Sequence, residues 1–408
     1  MDTTVFRSFF MGGFECSTHR LPSGRRLDVI GATAHDRFAR RDYERLASVG
    51  IRTVRDGLRW HLIEPSPGNY DFSSVLPMLA AARDADVEVI WDLLHYGWPD
   101  DLDIFSDAFV DRFAELARVF VELATRETNG PLWIVPVNEN SFFAWAGGDV
   151  GILNPFARHR GNELKLQLVR ATIAAIESMR QVKPDVRIVH TEPMINVVPH
   201  SNRPHEAAAA ERHREAQYAA LDMIAGRTHP ELGGREDYLG VLGVNYYIHN
   251  QWVFPGGQGT TIEPSRPQHR PVWQMLGEVY DRYRRPLFIA ETGIEDEARP
   301  AWLRYIGHEI RRAIREGMPV LGVCLYPVVN HPGWDDDRHC YNGLWDYADA
   351  NGGREIYDPL ARELQSQQRL LELAPDDTPT RSGPDTHRLD VAAHWMEIRS
   401  GREDILDK

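Results

Sequence analysis

Short apolar runs alternate with amphipathic segments along most of the chain. The runs fall at 9–14, 52–55, 87–94, 132–137, 187–191, 238–245, 287–290 and 320–325, each short enough for one strand buried in a sheet. Between and after them lie segments at 36–49, 72–85, 107–126, 163–182, 206–225, 273–283, 298–316 and 359–373. These carry apolar residues at i, i+3 and i+4, the spacing of a helix with one buried face. Gly50 and Gly317 end two of the helices, and Pro184 follows another. Eight strand–helix units in series, with no long all-strand section, predict an α/β protein built as a (β/α)8 barrel. A doubly wound open sheet is the competing arrangement. It calls for a glycine-rich phosphate turn after an early strand, and Gly12-Gly13 lacks that fingerprint.

The pattern changes after Ala374, where Pro, Asp, Thr, Ser and Gly dominate as far as Asp385. Farther on, Val391, Trp395 and Ile398 share one helical face. The expected organisation is a catalytic barrel over 1–373, a linker over 374–388 and a tail over 389–408. The tail is expected to form one helix that docks on the barrel or on a second subunit, so oligomerisation through it stays open.

Composition narrows the partners. A hydrophobic content of 42% and a charged content of 26% suit a soluble globular protein, and the net charge of −14 disfavours nucleic acid or an anionic membrane as partner. Only Lys165, Lys183 and Lys408 are lysines, so nearly all positive charge is arginine. Cys16, Cys324 and Cys340 show no metal or disulfide spacing, and buried free thiols are expected. The first residues lack the basic start and long apolar run of a signal peptide, and the apolar run near 319–329 is too short for a bilayer. A cytoplasmic location is the expectation.

In a barrel of this kind reacting groups gather at the C-terminal ends of the strands. Those ends carry Glu15 and His19, Arg55 and Asp56, Asp92 and His95, Asn138 and Glu139, His190 and Glu192, Asn245 to Tyr247, Glu291, then Tyr326 and Asn330. Glu139 and Glu291 each follow a buried run, and strands four and seven lie on opposite sides of the barrel, so the two carboxyls can face each other. A pair about 5–5.5 Å apart suits a retaining glycosidase, and one roughly 6.5–9.5 Å apart an inverting one. One carboxyl protonates the leaving oxygen while the other attacks the anomeric carbon, and a fixed guanidinium such as Arg55 favours the ionised form of the second.

The chain resembles the clan A glycoside hydrolases, and among them the family 1 β-glycosidases, over roughly residues 5–365. Arg55 in Arg52-Thr-Val-Arg-Asp-Gly-Leu-Arg-Trp60 is similar to the strand-two arginine that bonds the nucleophile. Asp92-Leu-Leu-His-Tyr-Gly-Trp-Pro99 resembles the segment whose histidine, His95 here, holds a sugar hydroxyl. Asn138-Glu139 resembles the acid/base pair, Leu242-Gly-Val-Asn-Tyr-Tyr247 the segment whose tyrosine touches the nucleophile, and Ile289-Ala-Glu-Thr-Gly293 the nucleophile segment. Gly343-Leu-Trp-Asp-Tyr347 is similar to the motif that closes the last loop. The resemblance implies Glu139 as acid/base and Glu291 as nucleophile. It also implies Arg55, His95, Asn138, Asn245 and Tyr247 as positioning residues, with Asn138 on the 2-hydroxyl.

The departures concern the sugar. Asn140 stands where the family has proline, and Tyr326 where it has tryptophan. Trp334 falls at the sugar-stacking position, but Gly333 replaces the glutamate that grips the glycone, and Glu15 or His19 stands near the place of a missing glutamine. The loop Gly333-Trp-Asp-Asp-Asp-Arg338 disfavours a phosphorylated sugar, Arg338 alone arguing the other way. Among the tryptophans, Trp60 and Trp91 are expected in the core, and Trp98 and Trp334 in a wet cleft.

Other chemistries fit less well. His95, His190 and His249 read as hydrogen-bonded polar residues, Thr18-His19 does not provide the His-x-His after strand one that metal-dependent barrel hydrolases need, and no lysine ends a strand to form a Schiff base. Neither a metal nor a cofactor is expected. The expectation is a retaining glycoside hydrolase acting on a small glycoside or oligosaccharide with an atypical glycone. The alternatives are a transglycosylase using the same residues and an inactive glycan- or partner-binding barrel.

Overall fold

The computed structural model describes residues 5–372 apart from 258 and 335, so the predicted linker and tail lie outside the described residues. Eight parallel strands form a closed barrel: Phe10–Gly13 (β1), Thr53–Gly57 (β2), Glu88–Leu94 (β3), Trp133–Val137 (β4), Arg187–Pro193 (β5), Val241–Asn245 (β6), Leu287–Thr292 (β7) and Val320–Leu325 (β8). Each strand pairs with its neighbour in sequence and β1 closes on β8. The open sheet is thereby set aside. Helices cover the outside, among them His35–Ser48, Asp107–Glu127, Gly161–Val182, Val272–Tyr283, Arg299–Arg315 and Asp358–Glu372.

Period-two alternation separates two cores. Met11, Ile90, Trp133, Val135, Val189, Phe288 and Ala290 belong to a cluster that packs inside the barrel, while the opposite strand faces join the helices in a larger core. Phe6 lies against Trp133 and Phe288, with ring centroids at 4.7 and 5.3 Å, and plugs the inner cluster. Burial of that one ring contributes about 2–3 kcal/mol. With the interior filled by side chains, polar groups at the C-terminal ends of the strands are left to line the barrel mouth.

Three elements differ from expectation. The segment 206–225 is not one helix; it runs as Ala207–Glu215, a 3-10 turn at Ala216–Tyr218, then Ala219–Ile224. The tightened turn buries Gln217, whose amide bonds both backbone groups of Ile195 and the carbonyl of Arg214. The sixth strand begins at Val241 rather than 238, because Tyr238 sits in a turn and gives its hydroxyl to Glu177 at 2.7 Å. Trp98 is not in a wet cleft: it is buried against Phe109 and Phe143 and donates to the Leu102 carbonyl. Trp60 and Trp91 are core residues. No described helix is long and apolar enough to cross a membrane.

A buried charge network ties the helix after β1 to β2 and the last loop. His35 stacks on Phe14 and places its two ring nitrogens 2.8 Å from Asp42 and from Asp56. Tyr43 also donates to Asp56, and Arg354 to Asp42. Burial opposes a charged imidazole, but the two carboxylates override it and push His35 up to about 9. A folded-state value above the ordinary 6.5 stabilises the fold most at low pH; the effect is complete below 6.5 and fades as pH rises through 9. That shift corresponds to something on the order of 3 kcal/mol. Denaturant titrations of wild type and His35→Gln should show the wild-type advantage shrinking across that window. An advantage that is flat with pH, or grows, contradicts the charged imidazole.

Candidate active site

The register of the strands sets the site. Gly13 is level with Arg55, Gly57 with Asp92, and Asn245 with Glu291, and a further bridge aligns Asn138 with Thr191. Side chains from six strands therefore converge at one height in the mouth of the barrel.

Arg55 is the hub, and it is fully buried. One guanidinium nitrogen donates to Glu291 and to the Ala290 carbonyl, each at 2.9 Å. The other donates to Asp92 at 2.6 Å and to the Asn138 oxygen at 3.1 Å. Its face lies 5.1 Å from the centre of the Tyr326 ring. That ring in turn needs Gly13, since a Cβ there would come within 2.0 Å of it.

Glu291 has a second partner in the Tyr247 hydroxyl, at 2.9 Å. Glu139 stands at the turn from β4 into a short helix, with φ 49° and ψ 61°, a left-handed conformation rare for a side-chain-bearing residue. The cost is roughly 1–2 kcal/mol, and backbone bonds from Glu139 N–H to the Thr191 carbonyl and from Phe143 N–H back to Glu139 hold the turn. Its carboxyl accepts from Asn245 at 2.9 Å and from the Tyr96 hydroxyl.

Burial raises both carboxyls, and they also repel each other. Burial first, then the nearby Glu291, pushes Glu139 up to about 8. Glu291 is raised by burial too, but Arg55 works against that and favours its anion. The pair therefore shares protons unequally: the ion pair with Arg55 leaves the negative charge on Glu291 and the proton on Glu139.

The remaining predicted residues surround this pair. His95 touches Asp92 at 3.0 Å, Cys16 at 3.2 Å and the Asn138 amide at 3.2 Å. Burial opposes charge on His95, but Cys16, Glu15 and Asp92 raise it well above the ordinary range. Glu15 is buried beside Ser17, whose N–H and hydroxyl it accepts, and lies 3.7 Å from His95. His19 packs edge-on against Trp334 at 4.9 Å, and Trp334 is only partly buried. Tyr326 stacks parallel to His95.

Asn138 is tied into the same network. Its oxygen accepts from Arg55 and the Thr191 hydroxyl, and its amide group donates to the Tyr96 hydroxyl and faces His95. His190 bonds the Tyr238 carbonyl and His249 lies near Thr261, so neither joins the site.

Tyr96 and Thr191 were not among the strand-end candidates; Glu192 was. Tyr96 directly follows His95, and that adjacency was the available signal. Glu192 is a further buried carboxyl, bonded by the Ser141 N–H and pushed by burial to about 7. One trio among the described residues, Cys16, Asp92 and His95, brings possible metal ligands within 4.8 Å of one another. Arg55 already binds Asp92 there, and its fixed charge opposes a second cation.

Solved structures share this architecture. The AHE enzyme from Alicyclobacillus herbarius superposes with a TM-score of 0.73 at 19% identity, covering 89% of this chain and 98% of that one. The family 1 β-glucosidase from Thermotoga maritima gives 0.72 at 16% identity over 89% and 97% of the two chains. The Thermotoga maritima β-glucosidase in complex with glucoimidazole gives 0.73 at 17%, over 91% and 98%. The chain has the fold of these proteins. At such identities the likeness concerns the fold. No family model matches the sequence, and no curated protein matches it.

Proposed function

We propose that the protein is a retaining glycoside hydrolase that cleaves a β-glycosidic bond by double displacement. The observation that carries this reading is the unequal treatment of two buried carboxyls. Arg55 and Tyr247 bond Glu291, while Glu139, with no cation bonded to it among the described residues, is raised to about 8. In the first step Glu291 attacks the anomeric carbon as Glu139 delivers its proton to the departing oxygen, leaving a glycosyl ester on Glu291. In the second, Glu139 as a carboxylate takes a proton from water, and the resulting hydroxide displaces Glu291 from the sugar. A sugar alcohol in place of that water would give transfer through the same residues.

In this reading Asn138 and His95 hold hydroxyls near the reacting carbon. Trp145, 43% exposed and packed on Phe142 just beyond Glu139, offers a face for the leaving group. A phosphorylated glycone finds little support, since Arg338 is doubly bonded to Glu295.

The test is the stereochemistry of hydrolysis of aryl β-glycosides, followed by proton NMR, together with its pH profile. The first-formed sugar should keep the β configuration. Because Glu139 acts protonated, kcat/KM should fall as pH rises through about 8. An α product at first turnover, or an alkaline limb unchanged in Glu139→Gln, contradicts the assignment.

A further inference from the structure

The carboxylates at the mouth of the barrel are not equally paired. Arg55 and a protonated His95, with His331 farther out, face three carboxylates: Asp92, Glu291 and Glu15. Arg55 bonds the first two directly. Glu15 has no such partner among the described residues: one of its oxygens accepts the N–H and hydroxyl of Ser17, and the His95 nitrogen is 3.7 Å away, beyond hydrogen-bond reach. Burial favours its neutral form, but His95, His331 and the Ser17 bonds outweigh burial and hold it below the ordinary carboxylate value. Glu15 is thus an ionised, 9% exposed carboxylate in the pocket with half its acceptor capacity unspent.

The surroundings of Glu15 suit a cation. His19 is 2% exposed, and its Nδ1 has no partner. Burial lowers its pKa to about 4, so the imidazole is neutral and offers a lone pair. The rings of His19, Trp334 and Tyr96 pack edge-on in sequence, at 4.9 and 5.7 Å, adding aromatic surface of the kind that attracts an ammonium. Two nearby positive groups are already engaged, Arg26 with Asp100 and Arg338 with Glu295. An anionic glycone would meet the Glu15 carboxylate unfavourably, and one without a cation would leave its free acceptor capacity unmatched.

We propose that the glycone is an amino sugar, and that Glu15 receives its protonated amine in a charge-assisted hydrogen bond, with His19 as second acceptor and Trp334 alongside. This rests on the glycosidase reading above and names the substrate class of the same site. It also gives the lost glutamate at Gly333 a counterpart: the grip on the sugar moves from the last loop to the loop after β1.

The experiment compares kcat/KM of the full chain on a matched set of aryl β-glycosides. The set comprises the neutral glucoside and galactoside, their 2-, 3-, 4- and 6-amino-deoxy derivatives, and the N-acetyl form of each amine. One amino compound should exceed its neutral parent by about 10- to 100-fold, the worth of one charge-assisted hydrogen bond. N-acetylation should erase that preference. Glu15→Gln keeps the shape and an acceptor but removes the charge, and should reduce the preference by the same factor, mainly through KM.

A neutral parent better than every amine, or a Glu15→Gln variant that slows both substrates alike, overturns the amino-sugar assignment while leaving the glycosidase standing. Failure to turn over any member of the set overturns both. Should Glu15→Gln not fold, wild-type inhibition by free amino sugars against their neutral parents decides. Equal inhibition by the two refutes the proposal.

Discussion

Glu291→Gln should lose turnover by about 10⁴-fold or more, the scale on which removing a covalent nucleophile acts. The amide nearly matches the carboxylate in size, so packing against Tyr247 and Arg55 survives while the attacking charge does not. Stability should change little, because burial of Glu291 already opposes its charge and the amide relieves that cost. The decisive measurement pairs kinetics with mass spectrometry of the intact protein after exposure to a slow 2-fluoro glycoside. Wild type should gain the mass of one fluorosugar on the peptide holding Glu291, and the variant should gain none. A variant that still turns over at near wild-type rate, or a label found elsewhere, rejects Glu291 as nucleophile.

Much of the barrel was legible because its signals are local. The alternation of short apolar runs with amphipathic helices follows from strands that are buried on both faces, and that pattern survives in the sequence. Glu139 and Glu291 stood out for the same reason, as polar residues closing buried runs. What sequence spacing does not carry is distance between strands. Tyr96 bonds Glu139, and Cys16 lies on His95, only because β1, β3 and β4 reach the same height, which is a property of barrel register. Trp98 shows the converse: its neighbours in sequence are largely turn-forming, yet Phe109 of the following helix and Phe143 beyond β4 enclose it. Gln217 interrupts an alanine-rich helix that local propensity alone would continue, since a buried amide must find partners on another segment.

Arg55→Met should be the most damaging single change to the fold, and its effect should depend on pH. The guanidinium sits between Asp92 and Glu291, 1% and 5% exposed, and bonds both. Removing it strands two buried carboxylates, a change that typically costs about 3–5 kcal/mol. Asp92 shows the sign. Burial raises it, but Arg55 and His95 more than offset this and hold it below the ordinary 3.8. A depressed carboxylate stabilises the fold above its unfolded value, and that contribution is lost as pH falls through the folded one. The deficit of Arg55→Met should therefore be full at neutral pH and shrink on acidification, as the stranded carboxylates take up protons. Glu291 responds in the same direction: without Arg55 it rises further, so the acidic limb of kcat/KM moves to higher pH and the active window narrows toward the limb set by Glu139. Arg55→Lys restores charge but not the fork that reaches both carboxylates, and should recover stability only in part. Chemical denaturation at neutral and mildly acidic pH, with pH profiles of any residual activity, measures both effects. A deficit that does not vary with pH, or an acidic limb that stays in place, would show that Arg55 acts by filling space and not by holding these two charges.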